Sequence, residues 1–267
     1  DNQFFQVPSE TAWAGKTLYE LEVETFLPKE WHKPIFDKAK ELGIICFSSP
    51  FDPTAVEFLE ALDVPAYKVA SFEIVDIPLL KYIARTKKPV IMSTGMANEE
   101  EIDEAVNVLK ECGTTDILLM HCVSSYPAPV DQSNLRQIFE LSKRFGCPVG
   151  LSDHTLGTTV SIGSIATGAV AIEKHFTLDR SQKGPDSDFS IEPNELRDLC
   201  LKTKQVWQSL GKANYSLAPS EEKSKAFRRS IYFIKDLPSG SIVKKKHIKR
   251  IRPGFGLPPK FFDKLIG

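Results

Sequence analysis

The stretch Val149-Gly150-Leu151-Ser152-Asp153-His154-Thr155 and the later Ala169-Val170-Ala171-Ile172-Glu173-Lys174-His175 decide the fold. Each is a short apolar run that turns polar and reaches a histidine. Such runs, bounded by polar residues, read as buried strands. The same pattern recurs upstream at Ile44-Ile45-Cys46-Phe47, Ala66-Tyr67-Lys68-Val69-Ala70, Val90-Ile91-Met92 and Ile117-Leu118-Leu119-Met120. Between the runs lie amphipathic stretches at 53–62, 98–112 and 134–145, with apolar residues at helical spacing. Asn98 precedes three glutamates, a capping residue followed by acids where the helix dipole favours them. Strand and helix alternating in this way predict βα units and a parallel sheet.

A barrel and a doubly wound sheet share that alternation. The residues just after each run separate them: Ser48-Ser49-Pro50-Phe51, Ser71-Phe72-Glu73, Ser93-Thr94-Gly95, Ser124-Ser125-Tyr126-Pro127, Ser152-Asp153-His154 and His175. A doubly wound sheet concentrates functional residues at one switch point, whereas a barrel collects them from all strands around one mouth. No Gly-x-Gly-x-x-Gly follows a strand. The pattern therefore predicts a TIM-type (β/α)8 barrel. About six strands are readable against the eight of a closed barrel, and the opening Asp1-Asn2-Gln3-Phe4-Phe5-Gln6 carries no βα unit before it. The expectation is a barrel lacking its first two strands in this chain.

Bulk properties fit one large soluble domain with an appendage: 267 residues, 42% hydrophobic, 26% charged, formal net charge -1. That balance points to neither nucleic acid nor a membrane surface as partner, and no apolar run approaches the roughly 20 residues of a membrane span. Five scattered cysteines without a CxxC suit reduced thiols, so a cytoplasmic location is expected. Cys46 and Cys122 lie inside apolar runs and read as core residues.

After His175 a polar loop at 180–190 leads to a helix over 193–210, with Gly211 as its stop signal. The domain reading is a barrel over 1–212, a linker over 213–226 around Ala218-Pro219-Ser220, and a small β-rich module over 227–267. In that module Ser230-Ile231-Tyr232-Phe233-Ile234 reads as a strand. The run Lys244-Lys245-Lys246 reads first as a solvated edge, because lysine commonly guards exposed edge strands.

Several motifs, in order, resemble the sialic acid synthase family: Pro65 to Glu73, Ser93-Thr94-Gly95-Met96, Gly150 to Thr155, Glu173-Lys174-His175-Phe176-Thr177 and Gly184-Pro185-Asp186. The tail from Phe227-Arg228-Arg229-Ser230 through Arg252-Pro253-Gly254 resembles the start of the antifreeze-like (SAF) domain of that family, incomplete here. Within the family, Trp13-Ala14-Gly15-Lys16-Thr17-Leu18-Tyr19-Glu20-Leu21, Glu30-Trp31-His32, Gly184 to Ser190 and Arg252 to Leu257 are similar to the pseudaminic acid synthases. Neuraminate synthases have asparagine where this chain has Phe255 and Ser124, which turns the resemblance toward a trideoxy diacetamido sugar.

The resemblance implies a transferase that condenses phosphoenolpyruvate with an amino-sugar aldehyde. C3 of phosphoenolpyruvate bonds to the aldehyde carbon, water adds at C2, and phosphate leaves with the C–O bond. His154 and His175 are implied ligands of a divalent metal, manganese first and magnesium or cobalt as alternatives. Taken alone, the two histidines read more readily as unrelated polar strand-end residues, and it is what surrounds them that reverses this. Lys68, inside an apolar strand, would face the barrel interior or mouth, where an anion partner explains it better than snorkelling. With Ser49, Ser71 and Ser152 it would hold phosphoenolpyruvate. Glu73 and Asp186 are implied sugar-hydroxyl ligands, and Tyr126 and Phe51 would shape the pocket, with plain packing an equal reading for Tyr126. Ser124 is a further candidate substrate contact. Asp153 either orients a metal ligand or caps a strand end. Arg252 matches a family arginine that reaches the partner subunit's site, which implies a domain-swapped homodimer. The remaining alternatives are a neuraminate or legionaminate synthase, a non-catalytic sugar-binding barrel, and a zinc hydrolase.

Overall fold

The computed structural model describes residues 3–9, 11, 13–182 and 184–267. Asp1 and Asn2 of the quoted opening, and Lys183 of the expected 180–190 loop, lie outside the described residues. The chain divides into two compact units, residues 1–210 and 211–267.

In the first unit, α1 (Leu18–Thr25) and α2 (Lys29–Leu42) precede the sheet. There follow α3 (Pro53–Ala61), β1 (Tyr67–Val69), α4 (Ile77–Ala84), β2 (Val90–Ser93), α5 (Glu99–Glu111), β3 (Ile117–Cys122), α6 (Gln137–Phe145), β4 (Val149–Asp153), α7 (Thr159–Ala166), β5 (Ile172–Lys174) and α8 (Pro193–Ser209). The five strands are parallel and pair in chain order, so all of them deliver their carboxyl ends to one edge. The expected cap is present: the Asn98 side chain accepts from the Glu101 N–H, and Glu101 returns a bond to the Asn98 N–H.

Register and the two-residue strand period sort the side chains. Tyr67, Val69, Val90, Met92, Leu119, Val149 and Leu151 face the helices and are buried against Leu79, Leu80, Ile83, Ala105, Leu109 and Ile138. Each large apolar side chain so buried contributes about 1.5–3 kcal/mol. The other face carries Lys68, Ser93, Cys122, Ser152 and Glu173. Gly150 lets β4 sit close, since a Cβ there would lie 2.6 Å from the Met120 sulfur and 2.8 Å from the Ala171 carbonyl.

Two strand expectations are corrected. Residues 44–47 form no strand; only Ser48 pairs, by a parallel bridge to Tyr67, and Ile44 and Ile45 are 61% and 76% exposed. Of 169–172 only Ile172 is in β5, which runs on through Glu173 and Lys174. Among the described residues the sheet is an open, curled half-barrel of five strands and not a closed ring of eight.

In the second unit, β6 (Ser230–Phe233) and β7 (Ile248–Ile251) pair antiparallel, and Leu257 bridges to Ile231 on the other side of β6. The linker expected over 213–226 is partly helical, with a 3-10 segment at Pro219–Phe227. Lys249 and Arg250 lie exposed on β7.

Candidate active site

The carboxyl edge of β1 to β5 brings together most of the residues singled out from the sequence. Lys68 Nζ is buried; it donates to Ser93 Oγ at 2.7 Å and the Val69 carbonyl at 3.0 Å, and stands 3.6 Å from Glu173 Oε2. Burial depresses this ammonium below its ordinary range, against the pull of Glu173. The anion partner expected for this lysine is in part supplied by the protein itself, through Glu173. Glu173 in turn accepts from Ser152 Oγ at 2.7 Å.

Ser71 and Ser124 close in from the loops after β1 and β3. The Gly95 N–H donates to Ser71 Oγ at 3.2 Å. A Cβ on Gly95 would stand 2.2 Å from Ser124 Oγ and 2.7 Å from Ser71 Oγ, so the three loops meet only around a glycine. At the centre lies Cys122, its sulfur 3.5 Å from Ser71 Oγ, 3.7 Å from Ser124 Oγ and 3.9 Å from His154 Nδ1. Burial alone would raise this thiol, but contacts with His154 and Ser71 bring it below its ordinary value. Glu73 follows β1 in a 3-10 turn, and its Oε2 is buried with no hydrogen-bond partner. Burial pushes that carboxyl up.

His154 and His175 follow β4 and β5, with ring centroids 5.3 Å apart. His154 Nδ1 lies 2.9 Å from the Val123 carbonyl, and His175 Nδ1 lies 3.1 Å from Asp186 Oδ2. Burial alone would lower the His154 imidazole, yet the Cys122 and Val123 contacts carry it above its usual value. With both Nδ1 atoms facing an oxygen, a neutral ring keeps its lone pair on Nε2, an arrangement common where imidazoles hold a metal. Neutral imidazoles suit a divalent first-row ion, and two protein ligands leave positions open for substrate. The donor chemistry therefore fits a divalent ion, although among the described residues no three His, Cys, Asp or Glu side chains form a metal site by themselves.

Tyr126 packs 4.2 Å from the His154 ring and 5.9 Å from the His175 ring. Its phenol is pushed up to about 12, by burial first and then by Cys122 and Asp186.

Among the described residues the Asp153 carboxylate bonds to neither imidazole. It accepts from the Thr155 N–H at 2.8 Å and from Ser161 Oγ in α7, and pairs with Lys174 Nζ at 3.1 Å. Of its two candidate jobs, the structure assigns capping, not orientation of a metal ligand. Ser49 and Phe51 sit past the sheet edge at Ser48, with Phe51 61% exposed. Arg252 is exposed in the second unit, directly after β7.

Sequence reasoning passed over Glu173 and took Cys122 for plain core. The signal for Glu173 was there: counting back by two from His175 puts it on the same face. Cys122 required the register with Ser152.

A family model described as the NeuB family matches residues 2–215. The chain is 41% identical over 258 residues to the pseudaminic acid synthase of Helicobacter pylori, covering 96% of this chain and 76% of that one. It is 39% identical over 239 residues to an N,N'-diacetyllegionaminic acid synthase of Campylobacter jejuni, covering 88% and 72%. The crystal structure of an N-acetylneuraminic acid synthetase from Leptospira borgpetersenii, in complex with citrate, superposes with a TM-score of 0.71 at 34% identity, covering 74% of this chain and 69% of that one. With the motifs placed at one sheet edge and the match running through the whole first unit, the chain belongs to the NeuB family.

Proposed function

We propose that the chain is a pseudaminic acid synthase. It joins phosphoenolpyruvate to a 2,4-diacetamido-2,4,6-trideoxy hexose of the altropyranose type, with water, to give a nine-carbon nonulosonic acid and phosphate. The observation that carries this reading is the buried Lys68 ammonium, bonded to Ser93 and facing Glu173, on the same sheet edge that carries the His154–His175 pair.

Lys68, with the Ser71 and Ser152 hydroxyls, holds the anionic groups of phosphoenolpyruvate by charge-assisted hydrogen bonds. A hydroxyl of the open-chain sugar supplies the donor that buried Glu73 Oε2 has no partner for, and Asp186 takes a second hydroxyl while orienting His175. Tyr126 walls off the histidine pair and limits water around the reacting carbons. A divalent metal on His154 and His175, manganese by preference with magnesium or cobalt as alternatives, would polarise the sugar aldehyde as a Lewis acid. In the same reading the second unit is antifreeze-like, Arg252 serves the site of a partner in a domain-swapped homodimer, and the enzyme works in the cytoplasm.

The test is phosphate release from phosphoenolpyruvate across a panel of amino-sugars, before and after chelation. Release with the trideoxy diacetamido altrose, abolished by chelator and restored by manganese, is expected. Release with N-acetylmannosamine or the legionaminate precursor alone would move the chain to a sister activity. Turnover undiminished after metal removal would end the Lewis-acid role.

A further inference from the structure

Trp13 has no role in the assignments above, yet it completes an aromatic wall at the site. Trp13 lies in the chain between Gln6 and Thr17, which pair by an antiparallel bridge, with the Val7 N–H donating to the Lys16 carbonyl at 3.0 Å. Its Nε1–H donates to the Pro185 carbonyl at 3.1 Å. The indole lies 5.2 Å from the Tyr126 ring, and Phe189, 3% exposed, lies 5.5 Å from Tyr126 and 5.0 Å from His175. The surface is thus continuous from Trp13 across Tyr126 to both imidazoles.

The chemistry of that surface is one-sided. The lone donor of Trp13 is engaged by Pro185, so the residue offers a substrate only ring. A sugar hydroxyl pressed against it loses water without gaining a partner, whereas a methyl group gains contact. A deoxy carbon or an acetamido methyl fits there better than a fully hydroxylated carbon.

We propose that Trp13 is a specificity-determining residue, forming the apolar wall of the sugar subsite and favouring deoxygenated, acetamido-bearing sugars over fully hydroxylated ones. This deepens the synthase reading and rests on it.

The test uses the full chain with Trp13→Phe and Trp13→Leu. Steady-state phosphate release is measured on the trideoxy diacetamido sugar and on N-acetylmannosamine. Trp13→Leu raises KM for the trideoxy sugar about tenfold and narrows the preference over N-acetylmannosamine by a similar factor. KM for phosphoenolpyruvate stays within about twofold. Trp13→Phe keeps a ring but no N–H, and retains most of the preference. A second readout is the emission of Trp13 alone, in a Trp31→Phe/Trp207→Phe background, which changes when the trideoxy sugar is added. An unchanged preference in Trp13→Leu, equal losses on both sugars, or emission blind to saturating sugar would overturn the proposal. A native enzyme inactive on every sugar would sink the synthase reading instead, and the emission titration would still report on the wall.

Discussion

Lys174 and Asp153 pair at 3.1 Å with side chains 3% and 1% exposed, while Lys68 and Glu173 stand 3.6 Å apart with the Glu173 side chain 41% exposed. Glu173 and Lys174 are neighbours on β5, and Ser152 and Asp153, their register partners on β4, split the same way. Adjacent strand residues point to opposite faces, so one pair is driven into the helix layer and the other into the site. The helix-side pair is held by further bonds. Asp153 also accepts from Ser161 and the Thr155 N–H, and Lys174 also donates to the Thr155 carbonyl. The site-side pair is longer, with burial holding the Lys68 ammonium below its ordinary range. A lysine held at 3.1 Å by a carboxylate that is itself buried and fully engaged is scaffold, and one whose carboxylate stands 3.6 Å away and is partly open to solvent is a place for an anion.

Removing a partner from each pair tests that division. Asp153→Ala strands a buried ammonium and lowers unfolding stability by about 3–5 kcal/mol in urea titration. A loss under about 1 kcal/mol would erase the distinction, since exposed pairs cost that little. Lys68→Met removes a poorly compensated charge, so stability changes by less than about 1 kcal/mol. Phosphate release, by contrast, falls about 10²- to 10³-fold in kcat/KM. Retained turnover in that variant would take Lys68 out of the anion site.

The smallest effect concerns Glu73, a half-buried carboxyl that has no counterion at hydrogen-bonding distance among the described residues. Its pKa is raised in the folded chain, so the protonated form favours folding. That contribution is lost as pH climbs from the ordinary value of 4.5 through the raised one, because the unfolded chain ionises more easily. Glu73→Gln does not ionise, so it gains on the native chain across this window and converges with it below. Thermal unfolding from about pH 4 to about pH 8 reads the difference. Parallel curves would remove the burial penalty from the account.

Where the sequence was read well, local rules governed. Runs such as Val90-Ile91-Met92 and Ile117 to Met120 became strands because their helix-facing residues had a helix layer to bury against. Asn98 capped α5 because capping needs only its own turn. Ile44 to Phe47 is equally apolar and failed, since ladder bonds come from neighbours and only Ser48 meets one, Tyr67. The site followed the same division. Lys68 announces itself by interrupting an apolar run, and Ser71, His154 and His175 by following one, but Trp13 enters through a loop contact 172 residues away in sequence, at Pro185.

The sequence by itself determined the strand–helix alternation, the caps, and which polar residues end each strand, because these rest on periods of two and 3.6 residues along one chain. Only the tertiary structure decided that Glu173 serves the site while Lys174 serves the scaffold, that Cys122 faces Ser71 and His154, and that Trp13 lies on Tyr126. Those outcomes depend on register between strands and on loops far apart in the chain, where a shift of one residue exchanges inside for outside.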